Sequence, residues 1–129
     1  MPAYAIAHLR TPTTNNDVVE YIERVQTTMD PYQGRFVVHG ADIEVNEGAW
    51  PGTVVIVAFP DLATTRAWYD SPAYREILHL RTDHIQGDLI FVEGVPPTYD
   101  ARKTAASLRA RLTATPASAR NERGRLEGC

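Results

Sequence analysis

The run Trp68-Tyr69-Asp70-Ser71-Pro72-Ala73-Tyr74, with Arg81 following, gathers the side chains of this chain that are best equipped for chemistry. Tyr74, Ile77, Leu78 and Arg81 recur at helical spacing, so the Arg81 guanidinium is directed toward the domain and away from water. A buried arginine needs a partner, because an unpaired buried charge costs roughly several kcal/mol. One partner is a substrate carboxylate or enolate oxygen held in the guanidinium fork. The other is an internal acid such as Asp70 or Glu47. Arg35, at the head of a predicted strand, has the same two options. His39 and His8 are the candidate catalytic bases, since imidazole changes charge near neutral pH. Trp50, Trp68, Tyr69, Ser71 and Tyr74 are the candidate substrate-binding set, because small-molecule pockets are mostly aromatic and apolar with a few aimed polar groups. The structural alternative for the aromatics is core packing, and for Ser71 it is a helix cap.

Other chemistries lack their residues. His79 and His84 stand five apart, a poor spacing for shared ligation, and neither an HExxH run nor a Cys-His cluster occurs. The one cysteine is Cys129. No metal site and no cofactor are expected. A Gly-x-Ser-x-Gly elbow and a glycine-rich phosphate loop are both missing.

These side chains must be held by a scaffold that the pattern also reveals. Ala3 to Arg10 alternates as a first strand, ended by Thr11-Pro12. Asp17 with Glu20 reads as a capping box, opening a helix whose stripe is Val18, Ile22, Val25 and Met29, widened by Tyr21 and closed by Asp30-Pro31. Arg35 to His39 reads as a second strand, continued by Ile43-Glu44-Val45 after Gly40. Glu47 to Gly52 turns the chain into a third strand, Thr53 to Phe59, apolar on both faces. Asp61 caps a helix through Tyr69, and Ser71-Pro72 restarts it. Gln86-Gly87-Asp88 leads into a last strand, Leu89 to Glu93. The order βαββαβ is a split βαβ unit of the ferredoxin-like, α+β type.

Two helices cover only one face of a four-stranded sheet. The doubly apolar third strand therefore predicts a homodimer joined sheet to sheet. The 129 residues, 43% hydrophobic and 22% charged, suit a globular chain without a membrane span, and the N-terminus lacks a basic, apolar leader; a cytoplasmic protein is expected. Residues 1–98 carry six arginines against 13 acids, net −7, while residues 99–129 carry seven basic residues against three acids, net +4. The acidic body argues against nucleic acid as a partner. Residues 99–129 read as a basic, largely flexible tail in which Ala105, Leu108 and Leu112 support a short helix.

Several blocks in order carry a family resemblance: Gln33 to Val38, Glu47 to Gly52, Phe59-Pro60, Ala67 to Tyr74, Leu80-Arg81 and Val92-Glu93-Gly94. Over residues 1–98 the chain resembles the uncharacterised family known as domain of unknown function 1330. The resemblance implies a dimeric α/β barrel and no established activity. That architecture also hosts cofactor-free monooxygenases, muconolactone isomerases, polyketide cyclases and haem-degrading enzymes, which makes function an analogy. The family commonly has an arginine and two glycines where this chain has His39-Gly40-Ala41, so a permanent cation is exchanged for a titratable ring there.

The expectation is a small-molecule-binding homodimer. If it is an enzyme, the chemistry expected is cofactor-independent proton transfer (isomerase, cyclase or lyase) on an anionic or ketonic metabolite. A non-catalytic binding or assembly protein and a cofactor-free monooxygenase of a phenol are the alternatives.

Overall fold

The computed structural model describes residues 1–114. The chain divides into two units, the first Met1–Val95 and the second beginning at Pro96. In the first, the elements run β1 (Ala3–Leu9), α1 (Asn16–Met29), β2 (Arg35–Val38), β3 (Thr53–Phe59), α2 (Leu62–Asp70), α3 (Pro72–Thr82) and β4 (Gly87–Glu93). The sheet order is β2-β3-β1-β4 with every pair antiparallel, the ferredoxin-like α+β arrangement.

Alternation along the strands decides which side chains meet the helices. Ala5, Val57 and Phe59 join Val25, Met29, Trp68, Tyr74, Ile77 and Leu80 in one core between sheet and helices. Leu80 is buried on α3 beside Tyr74 and Ile77, a position that the expected face of Tyr74, Ile77, Leu78 and Arg81 omits.

The helix starts divide into one correction and two agreements. The first cap is Asn15, whose side chain accepts from the Val18 backbone N–H at 2.9 Å. Asp17, the expected cap, instead sits inside the first turn of α1, where a carboxylate is favoured by the helix dipole. Asp61 caps α2 and Ser71 caps α3 with Pro72 behind it, as the sequence suggests. Asp30-Pro31 does not stop the chain abruptly. It adds a short 3₁₀ turn, Asp30–Tyr32, which ends on Gln33 at φ 58°.

A second correction concerns β2. It ends at Val38, so His39 lies just past a strand, and Ile43-Glu44-Val45 is not a strand. The reason lies in the register. Val38 is already opposite Ile56, and β3 begins at Thr53, so residues 43–45 have no β3 backbone to pair with. Residues 39–52 form an exposed connection that returns beside β1. Gly52, at φ +88°, permits that return: a Cβ there would stand 1.8 Å from the Leu9 carbonyl oxygen.

In the second unit α4 spans Ala101–Leu112, capped by Asp100, whose side chain accepts from the Arg102 backbone N–H. The expected short helix through Ala105, Leu108 and Leu112 falls within it. Residues 115–129, the latter part of the expected flexible tail including Cys129, lie outside the described residues. Among the described residues, no helix is long and apolar enough to cross a membrane.

Candidate functional site

Beneath α1 and α3 the sheet leaves a cavity of about 100 Å³. Small side chains on β1 create it: Ala5 and Ala7 floor a space roofed by Val18, Ile22 and Val25 of α1. Trp68 closes one side, and its indole N–H donates to Thr28 Oγ1 at 3.1 Å. The lining is hydrocarbon and aromatic except for four side chains: Tyr21, Tyr74, Arg81 and His39.

Three of these four form one cluster. The Tyr21 and Tyr74 hydroxyls lie 2.8 Å apart, and Arg81 Nη2 donates to the Tyr74 hydroxyl at 3.5 Å. The guanidinium carbon lies 5.6 Å from the Tyr21 ring centroid, within cation–π range. Helix geometry makes this meeting local on one side, because Tyr74 and Arg81 are two turns apart on α3. α1 brings Tyr21 to it from across the helix pair. Burial pushes the Tyr21 phenol well above its ordinary value, and the neighbouring Tyr74 adds to that while Arg81 opposes it. For Arg81, burial alone would lower the pKa, but the two phenols outweigh it and the net direction is upward. Arg81 therefore stays a cation.

The internal acid expected for Arg81 is not there. Asp70 pairs with Arg75 at 3.0 Å, and among the described residues no carboxylate lies within ion-pair distance of Arg81. Arg75 also stacks over Tyr69, 4.4 Å from the ring centroid.

The remaining candidates divide between the two faces of the sheet. His39 lines the cavity from its exposed position after β2, with its ring stacked on Phe36 at 4.4 Å. His8 does not join it. Odd residues of β1 face the helices, so His8 projects from the opposite face, stacked on Trp50 at 4.0 Å. Its Nε2 lies 2.6 Å from the Pro51 carbonyl oxygen, and a carbonyl only accepts, so Nε2 carries the proton. Trp50 is 42% exposed there. Arg35, opposite Ala58, is exposed and does not line the cavity. Tyr69 packs edge-on against Phe91, outside the cavity lining. Ser71 Oγ accepts from the Tyr74 backbone N–H and donates to the Trp68 carbonyl at 2.7 Å, which leaves it no free proton. Of the nine expected site residues, the cavity thus unites His39, Arg81, Trp68 and Tyr74.

Tyr21 is the residue that sequence reasoning passed over. It is a tyrosine on the inward stripe of α1, and an inward hydroxyl must find a partner. Tyr74, on the inward face of the neighbouring helix, was the phenol within reach. Elsewhere His84 Nε2 lies 2.9 Å from Asp17 Oδ2. Among the described residues, no three His, Cys, Asp or Glu side chains gather as metal ligands.

Residues 2–95 match the family described as Domain of unknown function (DUF1330). The chain belongs to this family. No curated protein matches the sequence. Among solved structures, it is similar to a protein of unknown function from Rhodopseudomonas palustris, at 17% identity and TM-score 0.58, over 74% of this chain and 84% of that one. A dimeric ferredoxin-like protein of unknown function from Thermobifida fusca aligns at 20% identity and TM-score 0.52, covering 73% of this chain and 92% of that one. The cofactor-independent oxygenase SnoaB from Streptomyces nogalater aligns at 11% identity and TM-score 0.54, over 77% and 98%. At these identities the likeness is one of fold.

Proposed function

We propose that this DUF1330 protein is a small-molecule-binding homodimer whose ligand occupies the cavity under α1 and α3. The observation that carries the reading is the cavity's polar end, where Arg81 has two phenols and, among the described residues, no carboxylate within ion-pair distance. A desolvated cation without an internal anion favours a ligand that carries, or develops, negative charge on oxygen. The rest of the lining supplies apolar contact.

The same arrangement suits cofactor-independent proton transfer. A carbon acid bound with its oxygen at the Arg81 end would lose the proton next to its carbonyl to the His39 ring. The C–H electron pair would move onto the oxygen as an enolate, held by the tyrosine hydroxyls and the guanidinium field. Where the substrate is a β,γ-unsaturated ketone, the dienolate takes the proton back from His39 at its γ carbon as the oxygen's electron pair re-forms the carbonyl and the double bond shifts, which completes an isomerisation. His8, on the opposite face, takes no part.

The homodimer rests on the open side of the sheet. Val38, Ile56, Ile6 and Ile90 form a row across all four strands, and Ile90 is 52% exposed. An apolar row of this kind is a docking face, and a second copy covers it sheet to sheet.

The test is a thermal-shift screen with small anionic and ketonic metabolites, repeated on Ala7→Phe, which fills the cavity from β1. A ligand at about 100 times its Kd adds about 2.7 kcal/mol of stability. Hits that vanish in Ala7→Phe support the reading, and hits that persist unchanged place the ligand elsewhere and overturn it.

A second reading, cofactor-free oxygenation of a phenol, draws on the same aromatic lining and cationic end, and on the fold shared with SnoaB. Oxygen uptake with candidate phenols separates it from isomerisation.

A further inference from the structure

The polar end of the cavity has an unequal arrangement of donors that narrows the ligand. Tyr74 is 1% exposed, and its oxygen accepts from Arg81 at 3.5 Å while sharing the 2.8 Å hydrogen bond with Tyr21. Arg81 acts on both phenol oxygens, so burial sets the direction: a fully buried hydroxyl such as that of Tyr74 must donate internally. Its proton then goes to the Tyr21 oxygen, and one phenolic proton, that of Tyr21, is left over. Tyr21 is only half-buried and lines the cavity, so the spare proton is the one a ligand can reach.

We propose that Tyr21 is the ligand-facing donor of an Arg81–Tyr74–Tyr21 relay, and that the cavity takes a single-ring ketone or phenol through its one oxygen. This rests on the cavity being the ligand site. The relay offers one phenolic proton backed by one cation, which matches a lone carbonyl or phenolic oxygen. A carboxylate brings two oxygens, and beyond this cluster the ionisable lining among the described residues is His39, on the exposed connection after β2. Size points the same way. The cavity of about 100 Å³ is of the order of an engineered apolar cavity of about 150 Å³ that takes up benzene.

The experiment reads Trp68, which lines the cavity, by fluorescence in a Trp50→Phe background that removes the other indole. Four probes are titrated: toluene, phenol, cyclohexanone and benzoate. Phenol and cyclohexanone are expected to bind about five- to tenfold more tightly than toluene, and more tightly than benzoate. Tyr21→Phe, which keeps the ring, is expected to bring phenol down to the toluene level. Benzoate binding tightest, or phenol binding unchanged in Tyr21→Phe, overturns the proposal. If Tyr21→Phe does not fold, the ranking of the four probes on the wild-type cavity decides alone. Toluene binding that Ala7→Phe abolishes, with no advantage for phenol, overturns the relay and leaves the cavity as the ligand site. No binding by any probe overturns both.

Discussion

The hydroxyls of Tyr21 on α1 and Tyr74 on α3, 53 residues apart in sequence, meet at 2.8 Å and join the two helices. Burial of Tyr21 at this contact makes stability depend on alkaline pH. Burial raises the folded-state pKa of Tyr21 above its ordinary value of 10.0, and the unfolded chain keeps the ordinary value. Above about pH 10 the unfolded state releases this proton while the folded state retains it, so unfolding is favoured as pH rises. The contribution is fully present below pH 10 and falls away above it. Denaturant unfolding at a series of pH values from neutral to strongly alkaline checks this. The wild type should lose stability more steeply than Tyr21→Phe, by up to about 1.4 kcal/mol per pH unit, the slope for one proton. Equal slopes would mean that Tyr21 titrates as freely in the folded chain as in the unfolded one.

Arg81 separates a ligand-facing cation from a structural ion pair. Breaking a buried pair by removing one partner costs about 3–5 kcal/mol, because the other charge is left orphaned. Arg81→Ala leaves no such orphan, since the guanidinium's neighbours are neutral phenols. The expected loss is about 1–2 kcal/mol, from one long hydrogen bond and one cation–π contact. Urea denaturation measures it. A loss above about 4 kcal/mol would show that the side chain holds the fold together. Arg81→Gln, which keeps the stem and a donor, should cost still less while removing the field of the charge.

The alternation of Ala3 to Leu9 and the doubly apolar run Thr53 to Phe59 made the central strands legible, because a two-residue period has one physical meaning. Asp61 and Ser71-Pro72 made the helix starts legible for the same reason: a side-chain acceptor and a proline fit few other places. The chain was misread where two local choices were nearly equal. Asn15 and Asp17 are both good caps two residues apart, and it is Asn15 that accepts from the Val18 backbone N–H. Ile43-Glu44-Val45 alternates like a strand, but pairing is not a local property, and β3 starts too late to meet it. The site was legible in composition and not in arrangement. His8 and His39 are alike in sequence context, yet strand parity puts His8 against Trp50 on the far face. Tyr21 looked like packing because its partner lay on another helix.

The open sheet face predicts the assembly state. Ile6 stands between Ile56 and Ile90 at the centre of the apolar row, so one charge there would be buried unpaired in any sheet-to-sheet contact. The wild type should run as a dimer in light scattering at micromolar concentration. Ile6→Arg should run as a monomer while keeping its circular dichroism, since this side chain faces away from the core. A wild type that is monomeric would leave the row without its partner and remove the homodimer from the proposal.

Ser71 divides a capping role from a binding role. It is buried, and both of its hydrogen bonds are internal, one to the Tyr74 N–H that starts α3 and one to the Trp68 carbonyl that ends α2. Ser71→Ala removes both at the junction that sets the angle between the two helices. Loss of an N-cap side chain costs about 0.5–2 kcal/mol, and the Trp68 carbonyl loses its hydroxyl donor as well, so the upper half of that range is expected. The Trp68 carbonyl still accepts from the Ser71 backbone N–H at 3.0 Å, which keeps the cost from growing further. Because Ser71 does not line the cavity, phenol affinity measured on the folded variant should stay within about twofold of wild type. A small stability change with a large loss of affinity would instead make Ser71 part of the ligand site, with its hydroxyl turned from the cap into the cavity.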